Sequence, residues 1–90
     1  MTNLRGVIRL GDDTNHGGKV ITASTTMKVM GKPVARVGDL VSCPIHKHGV
    51  NSIIEGEPTM TDQGKKIALD GHKSACGCSL ISSISKVGKS

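Results

Sequence analysis

The chain has 90 residues, a formal net charge of +5, 36% hydrophobic residues and no Phe, Tyr or Trp. A core of Val, Ile, Leu, Met and Ala alone is thin, since an aromatic side chain buries about 150–250 Å², so a metal, a disulfide or oligomerisation is expected to supplement it. No apolar run is long enough to span a bilayer. The basic residues are scattered, with no run longer than Lys65-Lys66 and no aromatic to stack on a base, which reads as a solvated surface and not a nucleic-acid site.

In chain order, the first β-type segment is Val7-Ile8-Arg9-Leu10-Gly11-Asp12, with His16 five residues after Gly11. Val20-Ile21-Thr22, Met27-Lys28-Val29 and Val34-Ala35-Arg36-Val37 follow, each short and rich in β-branched or long apolar residues. Met30-Gly31-Lys32-Pro33 and Asp62-Gln63-Gly64-Lys65 read as turns, with Gly supplying positive φ, and Gly56-Glu57-Pro58 is a further break. No stretch keeps a 3.6-residue apolar period, so at most one helical turn is expected, near Leu80–Ser85. Val87-Gly88-Lys89-Ser90 reads as a frayed tail.

An internal repeat organises these segments. Residues 20–43 map without a gap onto residues 53–76, with identical pairs at Ile21/Ile54, Thr26/Thr59, Met27/Met60, Gly31/Gly64, Lys32/Lys65, Ala35/Ala68, Gly38/Gly71 and Cys43/Cys76. A third copy is split between the ends: Val7–Asp12 resembles Val34–Asp39, and Cys76–Ser82 resembles His16–Thr22. Three similar units with a circular join predict an all-β, pseudo-threefold molecule of short hairpin repeats.

Three Cys cannot all be paired, and the N-terminus Met1-Thr2-Asn3-Leu4-Arg5 has no apolar run of a secretory signal; together these favour a reducing compartment and a metal site. Threefold symmetry places His16, Cys43 and Cys76 in register near an axis. The second unit adds Pro44-Ile45-His46-Lys47-His48-Gly49, so either His46 or His48 offers a fourth ligand. A Cys/His set of four suits one structural Zn²⁺ ion. Cys78 falls where the first unit has Gly18, and His72 replaces the Asp of the repeat, so Cys76 is preferred to both as the third-unit ligand. Catalytic zinc would need a base, and the only glutamates, Glu55 and Glu57, lie well down the second unit. No phosphate loop, nucleophile elbow or His-Glu-x-x-His is present. No catalytic residue is therefore assigned, and the chain reads as a non-enzyme.

The chain resembles the PAAR-repeat proteins, named for a Pro-Ala-Ala-Arg element. The matching residues are Pro33-Val34-Ala35-Arg36-Val37-Gly38-Asp39, Gly11–Gly18, Asp39–Ile45, His48–Gly56 and Gly71–Ser82. The resemblance implies a short β-cone with a zinc near its apex, and its His-Gly element selects His48, giving the expected ligands His16, Cys43, His48 and Cys76. It implies a structural piercing tip whose base caps a trimeric VgrG spike of the type VI secretion machine, one cone per trimer. Contact with the target membrane would be transient, and effector proteins are possible passengers. The expected organisation is one domain over residues 1–86 with a short tail at 87–90 and no appended effector domain. The expected location is the producing cytoplasm, followed by secretion through the machine without a cleaved signal. A free-standing zinc-binding adaptor for effectors is the alternative, and a small zinc hydrolase a remote third. Segments around Met27–Lys32 and Met60–Lys65 are candidates for the spike-binding base.

Overall fold

Short β-branched segments broken by glycine turns cannot build wide sheets, and the chain combines two-stranded local hairpins with pairings and bridges between units. The computed structural model describes residues 5–43, 49–84 and 88–89. Ten strands are defined there: β1 (Arg5–Gly6), β2 (Asp13–Thr14), β3 (Lys28–Val29), β4 (Lys32–Pro33), β5 (Leu40–Cys43), β6 (Gly49–Ser52), β7 (Glu57–Asp62), β8 (Lys65–Ile67), β9 (Leu80–Ile81) and β10 (Gly88–Lys89). They form five antiparallel pairs, β1–β10, β2–β9, β3–β4, β5–β6 and β7–β8. No helix occurs among the described residues, and none is therefore long and apolar enough to cross a membrane.

The repeat read from the sequence is a symmetry of the backbone hydrogen bonds. The Ala35 amide donates to the Ile8 carbonyl at 2.7 Å, Ile8 to Ala68 at 2.9 Å and Ala68 to Ala35 at 3.0 Å, which closes a ring of three equivalent residues within one chain. One turn further, the amides of Gly11, Gly38 and Gly71 donate to Val20, Ile53 and Leu80 at 2.9, 2.9 and 2.8 Å. These three glycines have φ of 87°, 96° and 86°, a region costly for any residue with a Cβ. Each unit thus turns a corner with the same geometry.

Burial follows the same symmetry. Val7, Val34 and Ile67 are fully buried, joined by Leu69 and flanked by Met27, Val29, Met60 and Ile84. Next come Ile8, Ala35 and Ala68, then Val20, Ile53 and Leu80, with Val41 in the same cluster. Thr14 and Ser74, at positions equivalent to Val41, are also buried. Each layer offers three small or medium side chains toward one axis, so the core needs no aromatic ring. Three two-stranded arms, β3–β4, β7–β8 and β1–β10, belong to the Val7/Val34/Ile67 end.

Some local expectations change. Leu80–Ile81 is a strand paired with Asp13–Thr14, not the start of a helical turn, and the Leu80 amide donates to the His72 carbonyl at 2.8 Å; Ser85 lies outside the described residues. Gly88–Lys89 pairs with Arg5–Gly6 in place of fraying. Val20 and Val34 take part in single bridges, to Val41 and Arg9, and not in extended strands.

Candidate metal centre

At the other end of the layers from the arms, the inward face of the strands changes from apolar to metal-ligating side chains. Cys43 ends its strand, while His16 and Cys76 stand in equivalent turns and Cys78 lies just beyond one. Two residues beyond buried Val41 stands Cys43; two beyond buried Thr14 stands His16; two beyond buried Ser74 stands Cys76; and Cys78 precedes buried Leu80 by two. The tight turn through Gly77, with φ of 89°, joins Cys76 to Cys78, held by bonds from Ser74 N to Cys78 O (3.0 Å) and Gly77 N to Ser74 O (2.9 Å). The same bonds recur in the first unit, from Thr14 N to Gly18 O (3.0 Å) and Gly17 N to Thr14 O (3.1 Å). There the position of Cys78 is held by Gly18, where a Cβ would collide with the Ser42 carbonyl.

His16, Cys43 and Cys78 converge, their ligand atoms all within 4.8 Å of one another. His16 Nδ1 lies 2.8 Å from Cys78 Sγ and 3.9 Å from Cys43 Sγ, and the two sulfurs are 3.0 Å apart. Cys76 Sγ stands 3.0 Å from Cys78 Sγ on the outer side and 3.3 Å from Ser74 Oγ. Cys43 and Cys78 are buried, His16 and Cys76 partly so. The Cys76 backbone is fixed by Asn51, whose Oδ1 accepts from its amide at 3.2 Å. Burial opposes ionisation of Cys76, but hydrogen bonds from Cys78, Ser74 and Cys43 outweigh it and hold this thiol down at about 6. Burial, reinforced by the Cys76 and Cys43 sulfurs, pushes Cys78 up to about 12.

The donor set suits a metal. Imidazole nitrogen and thiolate sulfur are the ligands of tetrahedral Zn²⁺, whose bond lengths place ligand atoms roughly 3.5–3.8 Å apart; most of the spacings here, at 2.8–3.0 Å, are tighter than that, and the side chains would spread to take an ion. Of the residues expected from the sequence, His16 and Cys43 enter the converging group and Cys76 borders it. His48 and His46 lie outside the described residues. Cys78 is the residue that the repeat alignment passed over; it is fully buried, two residues before buried Leu80. His72 is elsewhere: its Nδ1 accepts from the Leu69 amide at 2.9 Å, as the Asp12 and Asp39 carboxylates accept from the Arg9 and Arg36 amides at 2.8 Å. Glu55 accepts from the Lys73 amide at 2.9 Å, and with His72 it lines a groove of about 450 Å³ whose lining includes none of the thiols.

Fold and site together define a small pseudo-threefold β-protein with a Cys/His cluster able to hold a metal ion at one end. The family model described as PAAR motif matches residues 10–82, and the chain belongs to the PAAR-repeat family of type VI secretion spike-tip proteins. A search of curated proteins returns no match.

Proposed function

We propose that this chain is the structural tip of a type VI secretion spike, seated on the threefold end of a VgrG trimer at one chain per trimer and carried with it out of the producing cell. The observation that carries this reading is the closed ring of Ile8, Ala35 and Ala68. One chain that repeats its backbone three times about an axis presents a similar surface to each of three identical subunits, whereas an asymmetric monomer would match only one. Open strand edges of the arms supply backbone groups for pairing with such a partner.

The metal in this reading is one Zn²⁺ ion held by His16 Nδ1, Cys43 and Cys78, with Cys76 as the fourth ligand and His48 as the competing one. When bound, the ion cross-links all three units and braces a core that lacks aromatic rings. No catalytic step is assigned: Glu55, the candidate base, is tied to Lys73 and faces a groove away from the thiols. The reading is tested by size-exclusion chromatography of the full chain with a VgrG trimer from the same bacterium. Co-elution is expected. Separate elution at all concentrations would overturn the spike-tip reading, and metal-dependent hydrolysis of an ester or phosphoester would overturn the non-enzymatic one.

A further inference from the structure

We propose that the end of the molecule carrying the three arms is an electrostatic docking face for an acidic, threefold-symmetric protein surface. This rests on the spike-tip reading and names the chemistry of the surface onto which the tip docks. The argument begins with internal symmetry. Arg5, Lys32 and Lys65 each stand two residues before the equivalent core residues Val7, Val34 and Ile67. They occupy one repeat position on three different arms, and all three are cations. Lys28 on β3 and Lys66 on β8 are further lysines of these arms, exposed like Lys32 and Lys65, and Lys89 is paired with Arg5 across β1–β10.

Exposed repeat positions keep their chemistry in some places, as at Ile21, Ile54 and Ile81, and lose it in others. Asp13, Leu40 and Lys73 are equivalent and solvent-exposed, yet they are an acid, an apolar residue and a base. A sign of charge repeated three times at one end suits contact with a threefold partner of the opposite sign. The carboxylates on the arms offset it only in part, since Asp62 is paired with buried Arg36 and Glu57 sets one negative charge against several cations. Asp62 is engaged by Ser24, Thr26 and Arg36, and Glu57 accepts from the Thr59 amide and hydroxyl at 3.0 Å. Nucleic acid is the less suited partner, because the cations are divided among three arms about an axis and the chain has no aromatic for base stacking.

Charges at the rim of a docking face act mainly on association rate and salt dependence. The experiment is binding of the full chain to a VgrG trimer between about 50 and about 500 mM NaCl, with Lys32→Glu/Lys65→Glu as the variant and a short DNA duplex as the competing probe. Melting and metal content of the variant report its fold. Affinity is expected to fall at least about tenfold across the salt range and by a similar factor in the variant. Salt-independent binding of the wild type would overturn the acidic-surface inference while leaving the spike-tip reading intact, and this outcome does not depend on the variant folding. Binding to the duplex in preference to the trimer would also overturn it. Absence of any trimer binding at low salt would instead overturn the reading on which it rests.

Discussion

Cys78 sits at the junction of the three thiols, with Cys43 and Cys76 both 3.0 Å away and His16 Nδ1 at 2.8 Å. Structural zinc sites contribute on the order of 10 kcal/mol of apparent folding free energy, so Cys78→Ser is expected to lose its metal equivalent and much of its thermal stability. Cys76→Ser is expected to retain metal with weakened affinity if His48 substitutes for it. Elemental analysis and thermal melting of the two variants check this, and equal metal retention by Cys78→Ser and wild type would contradict it. His72 is the second informative residue. Its ring nitrogen replaces the carboxylate that closes the corner in the other two units, so His72→Ala leaves the buried Leu69 amide without that acceptor and should cost about 1–3 kcal/mol. His72→Asp restores the acceptor and should cost less, as urea denaturation would show. That His72 stands at the Asp position of the repeat was legible in the sequence. That its Nδ1 does the work of an Asp oxygen was not, because the substitution is chemically unlike and only the geometry equates the two atoms.

At the scale of elements, buried arginines tie arms to the core. Arg9 Nη1 donates to the Val29 carbonyl on β3 at 3.1 Å. Arg36, with only 8% of its side chain exposed, pairs with Asp39 at 3.3 Å and with Asp62 on β7 at 3.2 Å. Breaking a buried pair by removing one partner strands the remaining charges. Arg36→Met is therefore expected to destabilise the chain by about 3–5 kcal/mol, measured by denaturant titration. Asp62 carries a pH consequence. The Ser24 hydroxyl, more than Thr26 and Arg36, holds its carboxyl below 3.8 against the opposing effect of burial. A carboxylate whose folded pKa is depressed adds stability that is present above its unfolded value and lost as pH falls through the folded one. The stability gap between wild type and Asp62→Asn should thus be constant near neutrality and narrow below about pH 4; a gap that widens on acidification would contradict the assignment. The turns of these arms were legible from Gly31 and Gly64. The cross-unit partners were not, since β2–β9 and β1–β10 join residues from opposite ends of the sequence and no local pattern announces such pairing.

For the whole molecule, a threefold backbone written three times in one sequence explains both what was readable and what was hidden. Gly11, Gly38 and Gly71, spaced identically relative to His16, Cys43 and Cys76, announce the repeat because only glycine suits their φ. Core layers followed from equivalent apolar positions. The member of the converging cluster that escaped, Cys78, lies in the circularly joined half of the third unit, where alignment to Gly18 compares a side chain with none. The turn through Gly77 carries it back against Cys43, a contact that no pattern in the sequence announces. One chain with three backbone copies is suited to a partner with three subunits, and the metal cluster and the cationic arms mark its two ends.

The most direct measurement is native mass spectrometry of the full chain mixed with a VgrG trimer. The account predicts one added chain carrying one metal ion on each trimer, regardless of excess. Three chains per trimer, or a bound chain without metal, would contradict it.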